Sequence, residues 1–111
     1  MAAAAQPIEL AGRRVGRGEP LYVIAGPCVL EDADVMLRTA DALAATCREL
    51  GLGYCFKSSY TKDNRTSTAS YRGPGLQDGL RLLERIRSET GAPVLTDVHH
   101  PEEAQAAAEV A

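Results

Sequence analysis

Apolar positions recur along the chain in two alternating rhythms. Leu21-Tyr22-Val23-Ile24-Ala25 is a near-continuous apolar run, the pattern of a strand buried on both faces in a parallel sheet. Met36, Leu37, Ala40, Leu43, Ala44, Cys47 and Leu50 then recur at helical spacing and form one apolar stripe. Asp32 or Asp34 can cap that helix, and Gly51 can end it. Residues 53–56 read as a second strand. After a long polar stretch, Leu76, Leu80, Leu83 and Ile86 or Arg87 mark a helix from about Leu76 to Thr90, with Gly91 at its end. Residues 93–97 form a third strand, and Pro101 opens an alanine-rich third helix running to Ala111. Ahead of all this, Ile8-Glu9-Leu10 reads as a strand. Residues 12–18, with three arginines among three glycines, read as a tight hairpin leading toward Leu21.

The order is hairpin, then strand and helix three times over. This is the βα pattern of a parallel sheet, and chemistry at several strand ends favours a (β/α)8 TIM barrel. Such a barrel typically needs about 250 residues, and this chain has 111. Three βα units do not close a ring, and an open edge leaves apolar strands uncovered. The expectation is therefore an amino-terminal fragment: an extension and hairpin over residues 1–20, then a partial barrel domain over residues 21–111. A smaller open α/β domain is the other reading.

Composition narrows the class. The chain is 45% hydrophobic and 24% charged, as globular domains are. A net charge of -3 gives no support for nucleic-acid binding. No apolar run is long enough to span a membrane, and the start, MAAAAQPIEL, lacks the basic and apolar regions of a signal peptide. Three cysteines make no disulfide scaffold and suit a reducing cytoplasm.

Against that acidic balance, the loop after the second strand is basic. Lys57, Lys62, Arg65 and Arg72 stand there with Asp63 as the lone acid, between short hydrogen-bonding side chains including Ser58, Ser59 and Asn64. Cations hold phosphate and carboxylate by charge, and hydroxyls and amides fill the remaining acceptor positions. Lys57 directly follows an apolar strand, which fixes its direction, and Gly73-Pro74-Gly75 shapes the chain before a helix. A solvated basic loop is the plain alternative. Cys28 sits just past the first strand's carboxyl end, behind a Gly26-Pro27 turn, where ligands bind in α/β proteins. It can serve as nucleophile, as soft metal ligand or as a small buried hydrophobe. Asp97 and His99 are two residues apart at the end of the third strand and face one side if extension continues. A pair capping the helix at Pro101 is the alternative. Cys47, Cys55 and Met36 read as packing, and Arg13, Arg14 and Arg17 as a solvated turn.

These runs resemble a known family. Ala25-Gly26-Pro27-Cys28, Phe56-Lys57-Ser58-Ser59, Lys62-Asp63-Asn64-Arg65, Tyr71-Arg72-Gly73-Pro74-Gly75 and Thr96-Asp97-Val98-His99 stand in the order and separation found in the 3-deoxy-D-manno-octulosonate 8-phosphate synthases, also called 2-dehydro-3-deoxyphosphooctonate aldolases. The resemblance covers nearly everything from Leu21 onward. The related synthases that use erythrose 4-phosphate share the glycine-proline-cysteine turn. They usually carry an arginine-threonine pair after the strand-two lysine and proline, unlike the run at Lys62 here. Sialic-acid-type synthases match less well. His100 departs from the family, which often has glutamate before the proline.

The resemblance implies a condensation of phosphoenolpyruvate with D-arabinose 5-phosphate and water, without a lysine Schiff base. The product feeds the inner core of Gram-negative lipopolysaccharide. It implies a cytoplasmic enzyme, commonly a homotetramer. Lys57, Lys62, Asp97 and His99 take catalytic positions, and Lys57, Ser59, Lys62, Asn64, Arg65 and Asp97 bind substrate. Metal-dependent members carry a cysteine at the position of Cys28, and the others an asparagine. Cys28 thus implies a divalent ion (zinc, ferrous iron or manganese), whose histidine, glutamate and aspartate ligands the family places beyond Ala111. The alternatives are the erythrose-4-phosphate-using synthase and an inactive truncated module that binds a phosphate compound.

Overall fold

The computed structural model describes residues 3–62 and 71–111. Two strands, β1 (Ile8–Leu10) and β2 (Arg13–Val15), form an antiparallel hairpin. The alternation then runs β3 (Tyr22–Ala25), α1 (Ala33–Glu49), β4 (Gly53–Lys57), α2 (Leu76–Thr90) and β5 (Val94–Leu95). A 3-10 turn at Pro101–Glu103 leads into α3 (Ala104–Ala108). Strands β3, β4 and β5 make a parallel sheet in that order. Consecutive parallel strands joined by helices are the opening units of a (β/α)8 barrel.

Helix boundaries follow the local chemistry. The Asp32 carboxylate accepts from Val35 N at 3.1 Å, so Asp32 rather than Asp34 caps α1. At the other end Gly51 takes φ +71°, which lets Leu52 N reach Cys47 O at 2.8 Å and Gly51 N reach Arg48 O at 3.2 Å. That pair of bonds satisfies two orphan carbonyls in a Schellman arrangement. Leu50, expected on the apolar stripe, is exposed, because it is the cap residue where the chain leaves the helix face. Gly91 ends α2 in the same left-handed conformation. Of the two candidates for the α2 stripe, Ile86 is buried, while Arg87 turns out to donate to Val110 O at 2.7 Å.

The sheet has two unlike faces. Tyr54, Phe56 and Val94 pack with Met36, Ala40, Leu83 and Ile86 into one core between sheet and helices. Alternation puts Ile24, Cys55, Lys57 and Leu95 on the other face. Ile24 is 49% exposed there, so the expected burial of the first strand on both faces does not hold within this chain. In a barrel that face is the interior, filled by side chains from the other strands.

Three more expectations and one alternative need correcting. The hairpin turns at Ala11 and Gly12, both with positive φ, and Arg13 and Arg14 lie in β2 rather than in a turn. Strand β5 is only two residues long, so Asp97 and His99 follow it in a loop. The third helix starts as a 3-10 turn and its α part ends at Ala108. Lastly, the polar stretch after β4 is not solvated at its start: Ser58, Ser59 and Tyr60 are all buried.

Candidate active site

The loop after β3 and the end of β4 are stitched together. Ser58 Oγ donates to Pro27 O at 2.7 Å, Ser59 N to Cys28 O at 3.2 Å, and Leu30 N to Ser59 O at 2.9 Å. Gly26 is required by this approach: a Cβ on it would lie 2.1 Å from Lys57 O. The stitching sets Cys28 beside Ser59 at the carboxyl end of the sheet, with Cys28 itself exposed. Cys28 is therefore no buried packing residue.

The end of β5 brings the next group in. Asp97 Oδ2 lies 3.6 Å from His99 Nε2, an ion pair when the imidazole is protonated. Burial alone would raise the Asp97 carboxyl, but the Ser59 hydroxyl, the residue's own backbone N–H, and the charges of Lys57 and His99 outweigh it, so its pKa is lowered. That electrostatic coupling ties Lys57 and Ser59, at the end of β4, to Asp97 and His99. Ser59 Oγ is buried without a hydrogen bond of ordinary geometry, although its hydroxyl acts on the Asp97 carboxylate. The site thus combines a cation, a carboxylate, an imidazole and a buried hydroxyl on neighbouring strand ends.

Asp97 and His99 are not a helix-capping pair. The residue preceding the 3-10 turn is His100, and Glu103 closes the box by accepting from His100 N at 3.3 Å. Because the Asp97 pKa is lower folded than unfolded, its ionised form stabilises the fold above about pH 3.9, and that contribution is lost as the pH falls through the folded value. Asp97→Asn should flatten the acid limb of a urea-denaturation series across this window. An unchanged acid limb would show that the carboxylate has no such coupling.

Lys62 stands at the neck of the basic loop. Lys62 N donates to Arg72 O at 2.8 Å, Arg72 Nη1 to Lys62 O at 3.3 Å, and Gly75 N to Tyr60 O at 3.0 Å. The loop therefore leaves and returns at one point beside the strand ends. Asn64 and Arg65 lie outside the described residues.

Two residues at the site were not singled out from sequence. Tyr60 is buried and its hydroxyl donates to Glu103 Oε1 at 2.7 Å. Its ring meets that of His99 edge-on, with centroids 5.2 Å apart. An aromatic inside a run of small polar residues was the available signal for Tyr60. A glutamate three residues after His100, in a capping spacing, was the signal for Glu103.

Among the described residues, no group of three or more histidine, cysteine, aspartate or glutamate side chains is arranged to hold a metal ion. The donor that this chain offers is a single exposed thiol at the strand end. Thiolate chemistry suits zinc or ferrous iron better than magnesium, and Cys28 fits as one ligand of a set completed from elsewhere. A separate cleft of about 230 Å³ opens at the opposite, amino-terminal end of the sheet, lined by residues including Arg13, Tyr22, Arg48 and Pro93. Arg13 is engaged there with Gly51 O at the end of α1, at 3.3 Å, and none of the strand-end residues reaches that cleft. Among the described residues, no helix is long and apolar enough to cross a membrane.

Parallel βα units with charged groups gathered at the carboxyl ends of the strands are the arrangement found in the opening part of a (β/α)8 barrel. The chain belongs to the DAHP synthetase I family, whose profile matches residues 5–111. It is similar to the 2-dehydro-3-deoxyphosphooctonate aldolase of Acidithiobacillus ferrooxidans, with 48% identity over 93% of this chain and 37% of the relative. The protein of the same name from Alkalilimnicola ehrlichii is 54% identical over 83% of this chain and 33% of the relative. That of Magnetococcus marinus is 52% identical over 87% and 34%. The chain thus spans about a third of the length of these curated relatives.

Proposed function

We propose that the full-length protein carrying this chain condenses phosphoenolpyruvate with D-arabinose 5-phosphate and water, giving 3-deoxy-D-manno-octulosonate 8-phosphate and phosphate. In that reaction C3 of phosphoenolpyruvate bonds to the aldehyde carbon, water adds at C2, and phosphate leaves. The observation that carries this reading is geometric: Lys57 and Ser59 at the end of β4 stand beside the end of β5, just past which Asp97 Oδ2 and His99 Nε2 lie 3.6 Å apart. The names of the similar proteins add support.

Each residue has a task that its chemistry suits. Lys57 and Lys62 hold the phosphate and carboxylate of phosphoenolpyruvate, with the Ser59 hydroxyl beside them. Asn64 and Arg65 hold the sugar phosphate, Arg65 serving a neighbouring subunit's site in a homo-oligomer. Asp97 orients a sugar hydroxyl, and its lowered pKa keeps it an acceptor at neutral pH. His99 lines the same pocket. Cys28 is the residue of this chain that would hold a divalent ion, which when bound supplies polarisation of a carbonyl or water oxygen. The assembled enzyme works as a homotetramer in the cytoplasm, and the 111-residue chain by itself lacks most of the barrel.

The family description favours one second reading, condensation with erythrose 4-phosphate. Phosphate release from phosphoenolpyruvate with each aldose separates the two. A preference for arabinose 5-phosphate of at least ~100-fold in kcat/KM is expected from a site that hydrogen-bonds sugar hydroxyls. The reverse preference would establish the second reading, and no turnover with either would leave a phosphate-binding module. Within the first reading, Arg65→Ala should cost about 2–5 kcal/mol of sugar-phosphate binding. Its KM for arabinose 5-phosphate should rise far more than that for phosphoenolpyruvate, and equal rises would remove Arg65 from the sugar-phosphate site.

A further inference from the structure

A tyrosine buried to 1% exposure must find a partner for its hydroxyl, or leave a polar group stranded in the core. Tyr60 finds it 43 positions along the chain, at Glu103 Oε1, 2.7 Å away. The same oxygen accepts from His99 N and His100 N, both at 3.3 Å. One carboxylate oxygen therefore gathers a phenol from the β4 loop and two amides from the β5 loop. The Tyr60 ring stands edge-on to the His99 ring at 81°.

The near end of this connection is equally fixed. Tyr60 O accepts from Gly75 N at the neck of the basic loop. Gly79 of α2 has no side chain where one would come within 2.3 Å of Tyr60 Cβ. A phenylalanine would fill the same space, so packing does not account for the hydroxyl.

We propose that Tyr60 and Glu103 form a strap that holds the β5 loop against the end of β4 and are positioning residues for His99 and Asp97. The role in turnover rests on the condensation proposed above. The strap is not a proton relay. Burial, and then the bond to Glu103, push the Tyr60 hydroxyl up to about 12, while that same bond is the leading cause of the lowered Glu103 pKa. The donor stays neutral and the acceptor stays ionised throughout the neutral range. What the strap supplies is geometry: the His99 backbone is pinned at Glu103, and the imidazole stands edge-on to the Tyr60 ring that the same carboxylate holds.

Three variants of the full-length protein test this: Tyr60→Phe, Glu103→Ala and Glu103→Gln. Misplacing a group that acts on substrate by about 1 Å can cost on the order of 100-fold, so Tyr60→Phe and Glu103→Ala should lower kcat about 10- to 100-fold. The KM for phosphoenolpyruvate should change less than about twofold, since Lys57 and Lys62 are untouched. Glu103→Gln should retain most activity, because its amide oxygen still accepts from all three donors. The double variant Tyr60→Phe/Glu103→Ala should be no slower than Glu103→Ala alone. Each variant is assayed below its own melting temperature, so a loss of folding is not read as a loss of turnover. A Tyr60→Phe enzyme with wild-type kcat would overturn the strap, as would a Glu103→Gln enzyme as slow as Glu103→Ala. The imidazole carbon–proton NMR signal of His99 gives a readout that needs no turnover. It should move in Tyr60→Phe and Glu103→Ala but not in Glu103→Gln. If the wild type condenses neither sugar phosphate, the reaction assignment falls. The His99 signal then decides the strap, and an unmoved signal in Tyr60→Phe overturns it.

Discussion

Cys28→Ala in the full-length enzyme is expected to abolish tight binding of the divalent ion and nearly all turnover. Cys28 is exposed at the carboxyl end of β3, and its backbone carbonyl is tied to Ser59 N in the middle of the site. A thiol in that place has no packing task, and its donor chemistry is that of a soft-metal ligand. Loss of a partner that only supports a metal ligand already costs about 10–100-fold in affinity, so loss of the ligand itself should exceed that. Elemental analysis of stripped and reloaded wild type and variant checks the affinity, and the condensation assay checks the activity. Wild type should lose activity to a chelator and regain it with zinc, ferrous or manganous ion. Full activity in the demetallated wild type would place the enzyme in the metal-independent class despite its cysteine.

Gly26→Ala should be nearly as damaging, through the backbone. The added methyl would stand 2.1 Å from Lys57 O and 3.0 Å from Lys57 C. Both are main-chain atoms of a strand paired on either side, at Ala25↔Phe56 and Lys57↔Leu95, so no side chain can turn away to relieve the clash. Overpacking typically costs about 1–3 kcal/mol, and a clash with backbone belongs at or above the top of that range. Gly51→Ala is the control: its Cβ meets nothing within 4 Å, and the cost is confined to a positive φ, about 1–2 kcal/mol. Thermal denaturation should show the larger drop for Gly26→Ala, together with a fall in kcat as Lys57 shifts. Equal drops would mean that the β3 loop yields to the methyl.

Sequence legibility varied with how local the determinant was. Helix α2 could be read to the residue, because a clean apolar period and Gly91 coincide at its end. The Asp97–His99 pair was legible as two same-sided positions, although β5 had already ended and a loop brings them together. The burial of Ser58 and Ser59 was not legible. Their composition is that of a solvated loop, and only the close passage of Gly26 and Pro27 turns them inward. The Tyr60–Glu103 bond was out of reach for the same reason, since it depends on where β4 and the turn after β5 meet. The exposure of Ile24 shows the converse case: its apolarity anticipates neighbours that the described residues do not supply.

Substrate is expected at the carboxyl ends of these strands, at Lys57, and not in the cleft at their amino ends. A crystal structure of the full-length protein with phosphoenolpyruvate bound tests this most directly. The phosphate or carboxylate should lie within hydrogen-bonding distance of Lys57 Nζ, on the side of the sheet ends that carries Ser59, Asp97 and Cys28. Phosphoenolpyruvate seated instead between Arg13 and Arg48, with Lys57 untouched, would contradict it.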